Sequence, residues 1–164
     1  MSKKVIHKNP WYSLEHHVLP NGNNYYFLNK QPSVFIVAQN DKDEIILISE
    51  YRYPINKIIW QLPAGMIDKD PPLTAAKREL REETGLTAKK WKKLGYFYSS
   101  PGHDTTKIIV FLAKDLSMQA KDEEDDIKKI KAVSKQILKR MIQTNKIECG
   151  ISLAALNLYF NISK

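Results

Sequence analysis

One cysteine, Cys149, stands in a chain of 164 residues. That count excludes an internal disulfide and suits a reducing compartment. With Ile147 and Ile151 close by, the thiol is read as buried or half-buried and inert, not as a nucleophile. Apolar runs are short, so no transmembrane helix is expected. The opening MSKKVIHKNPWY has no apolar stretch of the kind that directs secretion. These absences point to a cytoplasmic protein with no membrane partner. Internal repeats and long linkers are missing too, and the length suits one domain with a sizeable core.

Aromatics are scarce where positive charge is dense. The chain carries 26 Lys and Arg against 18 Asp and Glu, a formal net charge of +8. The basic residues concentrate at Lys89–Lys93 and Lys128–Arg140, and only Trp91 interrupts either cluster. A single-strand stacking platform needs more aromatic surface than that. We read the charge as a solvated lysine-rich surface that also attracts a small polyanion, not as a nucleic-acid interface.

What is present centres on PAGMIDKDPPLTAAKRELREETGL, residues 63–86. Asp70 with Pro71 and Pro72 suits a helix start, since proline fits only the first turn. Leu73, Ala76 and Leu80 recur at helical spacing as an apolar stripe, and Gly85 is the natural stop. On that helix Glu79, Glu82 and Glu83 share one side. Like charges so spaced destabilise a helix, and Arg78 relieves part of this by pairing with Glu82. The acids suit a hard divalent cation, which prefers oxygen ligands.

The string resembles the Nudix box: Gly, five residues, Glu, seven residues, Arg-Glu-apolar-any-Glu-Glu-any-Gly-apolar. Gly65 matches its first position, and Arg78, Glu79, Leu80, Glu82, Glu83, Gly85 and Leu86 match its end. Asp70 stands where the pattern has its first Glu, and the loop from Gly65 is one residue short. The resemblance implies metal ligation by Glu79, Glu82, Glu83 and the Ala64 carbonyl, with Arg78 and Glu82 in the catalytic set. The metal implied is magnesium, with manganese as a possible substitute.

Strands are expected at 14–19 and 25–28 about an Asn21-Gly22 turn, and at 34–38 and 45–48 as a second hairpin. Further strands are expected at 58–62, 91–98, 108–113 and 127–133. Helices follow over 135–144, with Ile137, Leu138, Met141 and Ile142 inward, and over 151–160. The class is mixed α/β. The element order resembles the Nudix α/β/α sandwich, with a mixed sheet and a loop-helix-loop catalytic motif. One domain over 1–164 is expected, with the box at 65–86 and the hairpin of the first thirty residues as a dimerisation segment.

NPWYSLEHHVLPNG, ISEYRYPINKIIWQLPAGMID and KIECGISLAALNLYF narrow the resemblance to the ADP-ribose pyrophosphatase branch. Pro101, sixteen residues after Gly85, matches a proline of that branch. Glu50 and Gln61 stand where relatives often have Gln and Glu, and Thr106 where an acid is common. By this resemblance Arg52 holds phosphate and Trp11 and Tyr12 stack on a base across a homodimer. Pro101 completes the substrate set. The general base comes from the acidic loop 122–126, with Glu123 as base and Asp125 as a further metal contact. The implied activity is magnesium-dependent cleavage of the pyrophosphate in ADP-ribose or a related nucleoside diphosphate sugar. Other nucleoside diphosphate derivatives, capped RNA among them, and a nucleotide-sugar sensor without turnover are the alternatives.

Overall fold

The computed structural model describes residues 2–119 and 127–162. Three strands, β1 (Lys3–Lys8), β2 (Tyr12–Val18) and β3 (Asn24–Lys30), form an antiparallel sheet of their own. The Asn21-Gly22 turn joins β2 and β3 as its sequence predicts, with Gly22 N–H donating to the Leu19 carbonyl. The loop 99–106 ties this sheet to the body. Leu28 N–H donates to the His103 carbonyl, Thr105 N–H to the Leu28 carbonyl, and the Tyr25 hydroxyl to the Gly102 carbonyl.

The body is built on β4 (Ser33–Ala38), which lies parallel to β9 (Lys107–Met118) and antiparallel to the short β7 (Ala64–Met66). The strand β8 (Leu86–Tyr98) closes this sheet on the far side of β9. A further antiparallel sheet runs β10 (Ile127–Val133), β5 (Ile45–Arg52), β6 (Lys57–Gln61). The fold is mixed α/β with a mixed sheet.

Strand alternation divides the core. Val34, Ile36, Ile109 and Phe111 face Ala75, Ala76 and Leu80 of helix α1 (Pro72–Thr84). Phe35, Val37, Val110 and Leu112 face the other way. They pack on Leu138 of α2 (Lys135–Gln143), Leu156 and Tyr159 of α3 (Gly150–Ile162), and Ile45, Leu47 and Leu62. This is why β4 is an unbroken apolar run: both of its faces are buried.

Four expectations need correction. The runs 34–38 and 45–48 are not a hairpin, since β4 and β5 enter different sheets and share only the bridge Gln39–Ile45. Between them the Asn40 side chain accepts from the N–H groups of Lys42 and Glu44. Asp43 is left-handed at φ 60°. With both runs buried on two faces, their apolar pattern carried no information on neighbours. Ile137 is 49% exposed. The Ser134 cap accepts from its N–H and fixes a helix phase that turns Leu138 inward and Ile137 out. Leu73 is also exposed, leaving Ala75, Ala76 and Leu80 as the inward stripe of α1. The fully exposed β1 was not expected at all, because KKVIHK has no buried face to pattern it.

Candidate active site

Helix α1 begins with Pro71 as its cap residue and Pro72 in its first turn, and ends at Gly85, left-handed at φ 70° with its N–H on the Arg81 carbonyl. These ends set the helix phase, and the phase decides which acids turn inward. Glu79 and Glu83 are buried, at 8% and 5% exposure. Glu82, about 60° to the side of Glu79 away from Glu83, is half-buried.

The turn before the helix forms β7, which pairs with β4 through Phe35–Ala64, Val34–Gly65 and Ser33–Met66. Ala64 N–H donates to Glu83 Oε2 at 2.8 Å. In extended backbone a residue's N–H and C=O project to the same edge, so the Ala64 carbonyl also projects toward the acids of α1. Gly65 lies flat against Glu79: a Cβ there would fall inside the Glu79 carboxylate. Arg78 clamps the assembly, reaching Glu79 at 2.7 Å and Glu82 at 2.8 Å and donating to the Met66 carbonyl at 3.2 Å. Partial burial lowers the Arg78 pKa, but the charges and hydrogen bonds of Glu79 and Glu82 outweigh it and raise the net value. The guanidinium is therefore a permanent cation between two carboxylates.

Among the described residues no three His, Cys, Asp or Glu side chains converge as a ready metal group. The donor chemistry nonetheless fits a hard divalent cation: carboxylates of Glu79, Glu82 and Glu83 beside a backbone carbonyl, all oxygen. The Glu79 carboxylate occupies space that only a glycine at 65 leaves open. Arg78 meanwhile supplies positive charge to two of these acids.

Beside this turn opens a cavity of about 570 Å³. Trp11, Tyr12, Arg52, Gln61, Ala64, Gly65 and the half-buried Cys149 are among its walls. Arg52 is held in a closed ring. Its Nη1 meets Glu50 Oε1 at 2.7 Å, and its Nη2 and Nε donate to Gln61 Oε1 at 2.9 and 3.2 Å. Gln61 Nε2 closes the ring by donating to Glu50 Oε2 at 2.6 Å. Guanidinium has five N–H donors, so the ring leaves part of the fork available to an anion in the cavity. Trp11 is 59% exposed and Tyr12 36%. Such aromatic faces can pack against a planar ligand.

The family model described as NUDIX domain matches residues 29–148. The chain belongs to the Nudix family. An ADP-ribose pyrophosphatase of Bacillus subtilis (strain 168) is 36% identical over 135 residues, covering 79% of this chain and 73% of that protein. A GDP-mannose pyrophosphatase of Enterobacter sp. (strain 638) is 29% identical over 143 residues, covering 80% and 73%. A crystal structure described as an ADP compounds hydrolase superposes with a TM-score of 0.82 at 21% identity, covering 98% of this chain and 91% of that one. That likeness shows the fold. Taken with the relatives, this Nudix chain is a pyrophosphohydrolase, and hydrolases of the family generally need a divalent metal.

Within this Nudix fold, Arg78, Glu79, Glu82, Glu83 and Ala64 come together at the box, while Arg52, Trp11 and Tyr12 share the adjoining cavity. Pro101 is exposed on its loop, where Ser99 and Asp104 rather than the proline line the cavity. Glu123 and Asp125 lie outside the described residues. Not foreseen was the ring of Glu50 and Gln61 around Arg52. Its sequence signal is the i, i+2 spacing of Glu50 and Arg52, which places both on one face of β5. Asp104 was missed as well. Burial pushes its carboxyl up, but the Ser99 hydroxyl at 2.7 Å and the Thr106 N–H at 2.8 Å hold it below the usual range.

Proposed function

We propose that this Nudix enzyme hydrolyses the pyrophosphate bond of ADP-ribose or a related nucleoside diphosphate sugar, with magnesium as its metal. The observation that carries this reading is the adjacency of the box acids to a cavity walled by Arg52 and two exposed aromatics. The relatives named for ADP-ribose and GDP-mannose support the same substrate class.

In this reading Arg52 offers its unspent N–H groups to a phosphate, held in aim by Glu50 and Gln61. Trp11 and Tyr12 cover the base. Glu79, Glu82, Glu83 and the Ala64 carbonyl would hold the metal, which would supply charge neutralisation on the diphosphate and acidify a water. Glu123 would take the proton from the attacking water, and Asp125 would add a metal ligand. Attack at one phosphorus breaks its bond to the bridging oxygen and gives a nucleoside monophosphate and a sugar phosphate. We further propose one domain over 1–164 that works in the cytoplasm as a homodimer, with the exposed first sheet as the dimerising segment.

Chromatography of a panel tests the substrate: ADP-ribose, ADP-glucose, GDP-mannose, a dinucleoside polyphosphate, 8-oxo-dGTP and capped RNA, each with magnesium. AMP and ribose 5-phosphate from ADP-ribose, at the highest kcat/KM, are expected. Preferred cleavage of a panel member other than a nucleoside diphosphate sugar would refute the substrate class.

A further inference from the structure

The loop 99–106 does more than tie the first sheet to the body, because Asp104 on that loop stands in the wall of the cavity beside the box. Its Oδ1 accepts from the Ser99 hydroxyl at 2.7 Å and from the Thr106 N–H at 2.8 Å. Those bonds fold the turn, and an asparagine can fold the same turn. What only the acid supplies is a second, charged oxygen. Among the described residues nothing donates to Oδ2. The residue is half-buried, and Oδ2, unlike the Thr106 hydroxyl oxygen, is not sealed from the surface. Burial raises the carboxyl's pKa, but the bonds from Ser99 and Thr106 and the charge of Lys30 outweigh it. The cavity wall therefore carries a fixed anion with one open acceptor.

Strand pairing fixes where along the cavity this anion lies. Tyr12 sits opposite Lys30 across β2 and β3. On the other edge of β3, Leu28 bridges Asp104. Two strand spacings, roughly 10 Å, thus separate Asp104 from β2. Trp11, Tyr12, Lys30 and Asp104 all line the cavity, with the half-buried Lys30 on the strand between the aromatics and the acid. A ligand with its base on the aromatics and its diphosphate by Lys30 and Arg52 brings its far end to Asp104. A carboxylate is a strong acceptor for a hydroxyl, whereas like charges set close together cost several-fold more than they return.

We propose that Asp104 decides which group the enzyme accepts beyond the diphosphate: Oδ2 takes a hydroxyl of a neutral sugar and repels a phosphate. Nucleoside diphosphate sugars are thereby preferred over nucleoside triphosphates. The inference rests on the substrate reading given above and deepens it.

Isothermal titration calorimetry on the full chain, without divalent metal, tests it with ADP-ribose and ATP as probes. Wild type should bind ADP-ribose more tightly than ATP. Asp104→Asn should weaken ADP-ribose and tighten ATP, moving the ratio of the two affinities by about tenfold or more. Asp104→Ser, which keeps an acceptor for the turn, should move the ratio the same way. Thr105→Ala is the structural control. The Thr105 hydroxyl accepts from the Lys30 backbone N–H and donates to Asn29, so this variant loosens the same loop and leaves the acid in place. It should leave the ratio unchanged. A ratio unmoved by both Asp104 variants would overturn the proposal, as would an equal shift in Thr105→Ala. So would a wild type that binds ATP as tightly as ADP-ribose, or that binds neither. Binding is read without turnover, so failure of hydrolysis on the substrate panel would refute the activity and leave this result standing.

Discussion

Gly65→Ala is a one-methyl test of how tightly the box is assembled. The new Cβ would fall inside the Glu79 carboxylate, whereas non-bonded heavy atoms normally stay about 3.5–4.0 Å apart. The carboxylate must therefore move by about 1 Å or more. It cannot move freely, because it is buried and held by Arg78 at 2.7 Å. Gly65 pairs with Val34 in ordinary strand geometry, so alanine itself suits the backbone. The cost should fall on function and, through overpacking, on folding by about 1–3 kcal/mol. A displacement of that size at a reacting centre can reduce rate about 100-fold, equivalent to about 2.7 kcal/mol of transition-state stabilisation. The assay is kcat/KM for ADP-ribose across a magnesium titration, beside a thermal melt. We expect kcat/KM to fall about 100-fold, a higher magnesium requirement, and a melting drop of about 2–12 °C. Full activity with unchanged magnesium dependence would refute the reasoning, since the Glu79 position would then not matter.

Other perturbations probe the neighbouring contacts. Arg78→Ala leaves Glu79 and Glu82 without their shared cation and frees the Met66 carbonyl. It should cost about 2 kcal/mol, read as a melting drop of about 4–8 °C that magnesium partly restores; an unchanged melt would contradict the clamp. Arg52→Ala should raise KM for ADP-ribose about tenfold with kcat nearly unchanged, because it removes binding shared by ground and transition states. Gln61→Leu, which breaks the ring around Arg52, should raise KM in the same direction, and a pure kcat effect would count against that role. The depressed Asp104 carboxyl contributes stability that is present above its unfolded value of about 3.9 and lost as pH falls through the folded value. Melting temperatures of wild type and Asp104→Asn should therefore converge as pH drops below about 4, and a constant difference from pH 7 to 3 would refute the assignment.

The box was legible because its information is local. The prolines, the apolar spacing and Gly85 set the start, face and end of α1, and with them the inward turn of Glu79 and Glu83. The Asn21-Gly22 turn was legible for the same reason. Pairing of β4 with β9 rather than β5 was not, since the two partners are seventy-odd residues apart and every candidate run is uniformly apolar. The Arg52 ring needs β5 and β6 in register before Gln61 can reach Glu50. Gly65 was visible as a motif letter, but its reason, the Glu79 carboxylate packed against it, depends on the docking of β7 on α1. Residues whose role lies in close approach between distant segments leave little trace in spacing alone.

The central claim is that the acids gathered on α1 make this a metal-dependent pyrophosphate-cleaving centre. Glu83→Gln tests it most directly. The amide can still accept from Ala64 N–H but carries no charge for a cation. With ADP-ribose and magnesium, wild type should yield AMP and ribose 5-phosphate, while the variant, folded and with an unaltered melt in the absence of metal, should lose that turnover. Equal turnover by the two proteins, or wild-type turnover unaffected by removing divalent metal, would contradict the account.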